Sequence, residues 1–89
     1  MLIDDLREIL VASFEALAPN WDEAPDWAQW YAVDGPGGAY WYGEEPRLDS
    51  WSWMAYEARE LWEYAGPVAI PLGIDWRLCV WQRRGGEHE

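Results

Sequence analysis

The sequence predicts a small single α+β domain with the element order α-β-β-α-β, in which two helices pack on one face of a three-stranded antiparallel sheet. Three observations support this fold class. The chain has 89 residues, which is enough for one hydrophobic core. Apolar residues recur with helical spacing in two segments, and aromatic-rich runs flank a glycine-rich break between those segments. The domain is predicted to span residues 1–84, followed by a disordered tail at 85–89.

The first predicted element is an amphipathic helix over residues 2–17. At about 100° per residue, its apolar side chains form one stripe that includes Ile9, Phe14 and Leu17. The opposite face is an acidic strip. We expect Pro19 and Asn20 to end the helix.

A β-hairpin is predicted over residues 27–42. The run 27–33 and the run 40–42 are short and rich in aromatic residues, and residues 34–38 between them read Asp-Gly-Pro-Gly-Gly. This break superficially suggests a phosphate-binding loop. It lacks the GxxxxGK[ST] pattern and any lysine, so a tight turn is favoured.

A second helix is predicted from a cap at Asp49 or Ser50 up to Ala65, because Gly66 and Pro67 would stop it. One side of this segment is apolar. The other side mixes acids with aromatic rings, which is unusual for a purely solvated face.

The third predicted strand covers residues 75–83 and runs antiparallel to the hairpin. Its side chains alternate, with Trp76 and Val80 on one side and Cys79 and Trp81 on the other. Residues 67–73 are expected to be irregular because two prolines interrupt them.

Charge is the most informative property of the composition. Seventeen Asp and Glu stand against six Arg and no Lys, which gives a net charge of −11. Such a field repels a nucleic-acid backbone and attracts basic protein surfaces. The alternative is that the acidity serves solubility alone.

The residue types argue against catalysis, and we expect the protein not to be an enzyme. Cys79 is the single cysteine and His88 the single histidine, so no nucleophile–base pair or metal-ligand set is apparent, and no cofactor or metal is expected. Glu44 and Glu45 could in principle be the paired carboxylates of a glycosidase, but a substrate cleft is hard to build in so short a chain.

The expected location is the cytoplasm. The amino terminus has no basic segment or long apolar segment typical of a secretory signal, and no run of about 18 apolar residues occurs. One cysteine gives no disulfide framework. Most of the nine Trp and five Tyr are expected in the core, because the middle third of the chain has few other large apolar residues. The alternative, a stacking platform for single-stranded nucleic acid, is opposed by the net charge and the absence of lysine.

Two blocks of the chain between residues 22 and 83 resemble known proteins. The first block includes the segments 26–30 (Asp-Trp-Ala-Gln-Trp), 33–34 (Val-Asp), 40–42 (Tyr-Trp-Tyr) and 45–46 (Glu-Pro), and the second is 71–81 (Pro-Leu-Gly-Ile-Asp-Trp-Arg-Leu-Cys-Val-Trp). They look like the small, acidic, Trp-rich proteins of tailed phages and prophages. In size and charge the chain is similar to a type I-C anti-CRISPR. The resemblance implies action in the host bacterial cytoplasm against a Cas effector subunit.

The resulting hypothesis is a DNA-mimicking inhibitor, a monomer or weak homodimer that binds a basic DNA-binding surface. Carboxylates can compete for the Arg and Lys that line a DNA channel, and aromatic rings can stack on guanidinium groups. The alternative is a phage structural, assembly or homodimerising module that pairs through exposed aromatic residues. The expected contact residues are Glu44, Glu45, Asp49, Tyr56, Glu57, Glu60 and Glu63, with Asp4, Glu8 and Glu15 as a second strip.

Overall fold

The computed structural model describes residues 2–50, 52–55 and 61–84, and these form an α+β fold. Four strands make an antiparallel sheet in the order β5-β2-β1-β6, and β3 and β4 form a separate two-stranded sheet. The α+β class is therefore confirmed, but the element count is not. The elements are α1 (Leu2–Glu15), β1 (Trp30–Val33), β2 (Gly38–Tyr42), β3 (Arg47–Leu48), β4 (Trp53–Met54), β5 (Trp62–Pro67) and β6 (Val80–Gln82), with 3₁₀ helices at Trp21–Glu23 and Trp76–Leu78.

The predicted hairpin is confirmed as β1 and β2. Tyr31 lies opposite Trp41, and the turn closes through the hydrogen bond from Gly37 N to Asp34 O, at 2.9 Å. Gly37 has a φ of +99°, a conformation that glycine adopts without steric cost. The glycine-rich break is a turn, as the sequence predicted.

The predicted second helix is wrong, because the regular elements that the structure describes within 49–65 are strands. Trp53–Met54 and Trp62–Pro67 are strands, and residues 56–60 of that segment lie outside the described residues. Aromatic side chains lose rotamer freedom in a helix and pack well across strands. Tyr64 pairs with Tyr40, and Trp62 pairs with Tyr42, so cross-strand aromatic contacts outweigh the helical spacing of the apolar residues.

The predicted third strand is confirmed only in its second half. Val80–Gln82 pairs antiparallel with β1, but Trp76–Leu78 forms a 3₁₀ helix instead of an extended segment. The cause is local, because the carboxylate of Asp75 accepts a hydrogen bond from Arg77 N at 3.0 Å and so caps that turn.

The helix α1 and the loops beside it cover one face of the sheet. The core contains Tyr31, Val33, Trp41 and Cys79, and the ring of Phe14 stacks on Trp81 with centroids 5.1 Å apart. The predicted helix ends two residues early, at Glu15, and its apolar stripe is only partly buried, since Ile9 is 58% exposed. One helix, not two, therefore packs on this face in the described part of the chain.

The domain boundary at residue 84 stays a prediction. The tail predicted at 85–89 lies outside the described residues.

Candidate functional site

The second face of the sheet carries a cluster of aromatic side chains. Residues that lie directly opposite each other in antiparallel strands project to the same side. Tyr40 and Tyr42 on β2 therefore share this side with Tyr64 and Trp62 on β5, and we call these four residues the aromatic face. The ring of Tyr40 lies 6.3 Å from that of Tyr42, 5.9 Å from Trp62 and 5.3 Å from Tyr64.

The β3–β4 hairpin is attached to this face by two hydrogen bonds at one residue. Trp53 N donates to Asp34 Oδ1 at 2.7 Å, and Tyr42 Oη donates to Trp53 O at 2.9 Å. The ring of Trp53 also meets Trp76 edge to face, with centroids 6.4 Å apart. The backbone and the ring of Trp53 are therefore both fixed.

A cavity of about 310 Å³ lies between the hairpin and the aromatic face. This volume is at the lower end of the range for small-molecule sites. We call it the aromatic cavity, and its lining residues are Asp34, Tyr40, Tyr42, Ser52, Trp53, Met54, Ala55 and Trp62.

Asp34 is a buried acid in the lining of the aromatic cavity. Its side chain is only 8% exposed, and burial raises the pKa of its carboxyl group, while the hydrogen bond from Trp53 N lowers it in part. Burial also raises the pKa of Tyr42, and the negative charge of Asp34 adds to that shift. Tyr42 therefore stays a neutral donor, and the cavity combines π-faces with one poorly solvated carboxylate.

The exposed rim of the cavity is Trp62. It is 56% exposed, and Tyr64 beside it on β5 is 53% exposed. Because β5 is at the edge of the sheet, these rings are accessible from outside. Trp62 is therefore the exposed side of the lining, and Asp34 and Tyr42 are its buried side.

Three of the predicted contact residues lie on, or directly after, the paired strands β2 and β5, and we call them the acidic edge: Glu44, Glu45 and Glu63. The first two follow β2 directly, and the third lies on β5 opposite Trp41. Gly43 N donates to Leu61 O at 3.0 Å, so the two strands are still paired where Glu44 begins. All three side chains are exposed.

The other predicted contact residues are not gathered at this edge. Asp49 is exposed in the β3–β4 turn, where its Oδ1 accepts from Ser50 N at 2.8 Å. Glu8 and Glu15 are exposed on α1, and Asp4 lies in the same helix. The remaining three lie outside the described residues, namely Tyr56, Glu57 and Glu60.

Sequence reasoning missed the aromatic cavity because it placed Trp53 and Trp62 on a helix, although it placed Asp34 correctly in the β1–β2 turn. A usable signal was present. In a strand, successive side chains project to opposite faces, so Tyr40 and Tyr42 lie on the face opposite the core residue Trp41. The prediction placed no element on that face. The sequence analysis did not predict that Trp62 and Tyr64 lie on a strand that pairs with this one.

Metal ligation finds no support in the described part of the chain. Among those residues no three His, Cys, Asp or Glu side chains lie close enough to hold a metal ion. Cys79 is a free, buried thiol in the core, and burial raises its pKa. A raised pKa lowers the thiolate fraction and so does not favour a nucleophile.

The chain matches no protein-family model, no curated protein and no solved structure. Within the described residues, no helix has the length and apolar character needed to cross a membrane. The aromatic cavity and the exposed acids are the two features whose chemistry bears on function.

Proposed function

We propose that this protein is an inhibitor that binds a basic protein surface, and that its target is the DNA-binding surface of a Cas effector. The observation that carries the proposal is the charge surplus. Six Arg can neutralise no more than six of the seventeen negative charges, so a net charge of −11 remains whatever the internal pairing. Ion pairing within the chain cannot cancel the negative field.

The placement of the cations and acids supports the same proposal. Arg77 pairs with Asp75 at 2.9 Å, two residues away, so this pair neutralises no distant acid. Burial and hydrogen bonds to the backbone hold Arg83 beside Trp21. Strand pairing fixes the backbone of Glu63 on β5, and Glu44 and Glu45 follow the end of β2, so less backbone entropy is left to lose on binding than in an unstructured segment.

A DNA channel is lined by Arg and Lys because duplex DNA carries one charge per about 1.7 Å of its axis. Exposed carboxylates on a sheet edge form charge-assisted hydrogen bonds with such side chains, preferentially with Arg. The phage-like resemblance of the sequence supports a bacterial effector as the target. The mimicry rests on a sheet edge, not on the helix face that the sequence predicted.

The test is DNA loading by a purified type I-C Cas effector in the presence of the protein. We expect inhibition at low salt that weakens steeply as salt rises, since the contacts are between exposed charges. The triple variant Glu44→Gln, Glu45→Gln, Glu63→Gln should lose at least about tenfold in affinity.

The matched control removes the same number of charges elsewhere, with Asp22→Asn, Glu23→Gln and Asp26→Asn. It should retain most of the inhibition. Absence of inhibition by the parent protein at low salt would refute the proposal, and equal losses in both triple variants would remove the acidic edge from the contact surface.

The second candidate is a pairing module that uses the exposed rings of β5. Trp62 and Tyr64 are more than half exposed on an edge strand, whose free backbone groups can pair with another strand. Such self-association buries apolar surface and should persist at high salt. Light scattering at low and high salt separates a salt-resistant dimer from a monomer.

A further inference from the structure

We propose that the aromatic cavity binds the guanidinium group of an arginine side chain from the partner protein. This inference rests on the proposed function, because it names the side chain that a basic partner would insert. The sequence hypothesis placed recognition on surface acids with interspersed aromatic rings, and it assigned no cavity. The cavity adds a concave site, with Asp34 buried in its lining and Trp62 exposed at its rim.

The rings supply the first half of the recognition. A cation is attracted to the face of an aromatic ring when it lies within about 6 Å of the ring centroid. The ring centroid of Tyr40 lies 5.9 Å from that of Trp62 and 6.3 Å from that of Tyr42. One cation among these rings can therefore be near more than one of them. A planar guanidinium can also stack on a ring, which an ammonium group cannot do.

Asp34 supplies the second half. It is an acid buried to 8% exposure, and its carboxylate has about four acceptor positions, of which Trp53 N uses one. A buried carboxylate is costly unless a cation or further donors reach it. A guanidinium offers five N–H donors, whereas a quaternary ammonium offers none. The carboxylate therefore favours arginine over a methylated ammonium ligand.

The size and position of the cavity fit a side chain rather than a whole macromolecular surface. About 310 Å³ accommodates a guanidinium with its methylene stem, and the apolar part of that stem can pack on Met54 and Ala55 in the lining. The net charge of −11 raises the local concentration of cations around the site. A neutral ligand of the same shape keeps the packing of the stem but gains nothing from the negative charge.

The experiment measures the dissociation constants of short peptides for the full chain by NMR titration. The probes are acetyl-Gly-Arg-Gly-amide and the same peptide with citrulline, with lysine or with trimethyl-lysine in place of arginine. Citrulline keeps the shape of arginine but has no charge. We expect the arginine peptide to bind about tenfold more tightly than each of the others.

Two variants locate the binding. Trp62→Ala removes an exposed ring, and Asp34→Asn removes the buried charge but keeps an oxygen that can accept from Trp53 N. Each should weaken the arginine peptide by about tenfold. Asp26→Asn removes one exposed charge from a loop outside the cavity and should leave the affinity within about twofold.

The outcomes separate this inference from the proposed function. Equal binding of the arginine and citrulline peptides, or equal effects of Asp34→Asn and Asp26→Asn, overturns the cavity assignment and leaves the inhibition assay to decide the function. Equal binding of the lysine or trimethyl-lysine peptide overturns the choice of guanidinium.

Discussion

At Asp34, one side chain connects the fold to the candidate site. Its carboxylate accepts from Trp53 N at 2.7 Å and so attaches the β3–β4 hairpin, but the same group is buried in the cavity lining. Burial disfavours the charged form and raises the pKa of this carboxyl group. Asp34 therefore combines a structural hydrogen bond with a charge that is unfavourable until a cation arrives.

The first prediction is that Asp34→Asn does not destabilise the free protein at neutral pH. A carboxyl group whose pKa is raised by folding stabilises the folded state when protonated, and this contribution is lost as pH rises from about 3.9 through the raised pKa. The amide carries no charge to desolvate. Urea unfolding at pH 7 should show the variant at least as stable as the parent, and that advantage should disappear at pH 3.5.

Asp26→Asn is the control for the loss of one negative charge. If Asp34→Asn lowers the free energy of unfolding at pH 7 by more than about 1 kcal/mol relative to this control, the hydrogen bond to the charged carboxylate outweighs its desolvation.

The second prediction concerns Arg83, which joins the end of β6 to the loop before β1. Its Nη1 donates to Ala28 O at 3.0 Å, its Nη2 donates to Trp21 O at 3.4 Å, and its Cζ lies 5.4 Å from the centroid of the Trp21 ring. Arg83→Met keeps the apolar stem but removes the donor to Ala28 O, whereas Trp21 O keeps its hydrogen bond from Ala24 N at 3.1 Å. We expect the free energy of unfolding to fall by about 1 to 3 kcal/mol.

Chemical denaturation measures this change, and Arg77→Met is the matched control. Arg77 makes an exposed pair with a residue two positions away, so its loss should change stability little. Similar effects of the two substitutions would contradict the role given to Arg83.

At the scale of elements, the turn between β1 and β2 depends on Gly37. A Cβ atom there would lie 2.8 Å from Val68 O, and the φ of +99° is strained for other residues. Gly66, with a φ of +134°, has no atom within 4 Å of such a Cβ. The two glycines share the backbone strain but only Gly37 adds a steric clash.

The third prediction is that Gly37→Ala destabilises the fold more than Gly66→Ala does. Backbone strain alone costs about 1 to 3 kcal/mol, and the clash with Val68 O adds to it because a backbone oxygen cannot move away easily. Thermal unfolding of both variants tests the order. An equal loss would show that the segment after β5 shifts to relieve the contact.

The elements also show where sequence reasoning succeeds. The β1–β2 hairpin was predictable because its signals are local: aromatic runs on both sides of a glycine-rich turn. The segment 49–65 was not, because helical spacing and cross-strand pairing both fit its apolar residues. What decides between them is a distant partner, since Trp62 pairs with Tyr42 across a stretch of chain that contains another hairpin.

The candidate site also combines features that local sequence predicts with features that depend on distant pairing. Surface acids such as Glu44 and Glu45 are exposed, as a charge count suggests, and their neighbour Glu63 joins them only through the pairing of β2 with β5. The aromatic cavity needs Asp34, Trp53 and Trp62 from three separate elements. No local pattern specifies such a tertiary arrangement.

At the scale of the whole molecule, the surplus of negative charge acts on stability as well as on binding. The principal dimensions are 49 × 35 × 18 Å. The screening length is about 30 Å at 0.01 M salt and about 8 Å at 0.15 M, so carboxylates repel one another across most of the molecule only at low salt. Self-repulsion of this kind opposes the compact state.

The fourth prediction is that sodium chloride stabilises the protein between 0.01 and 0.15 M. We expect the free energy of unfolding to rise by on the order of 1 kcal/mol, measured by urea titration at each salt concentration. The variant with Asp22→Asn, Glu23→Gln and Asp26→Asn should show a smaller rise. A salt response that is unchanged in this variant would mean that specific ion binding, not screening, causes the effect.

The order of strands in the main sheet has a consequence for synthesis in the cell. Trp30 on β1 lies opposite Gln82 on β6, so one neighbour of the central pair comes from a distant part of the chain. Pairing between strands that are distant in sequence is slow, because the long segment between them must be ordered first. A nascent chain whose residues 80–82 are still inside the ribosome lacks the partner for this side of β1, so we expect the backbone groups of β1 there to stay unpaired until β6 has emerged.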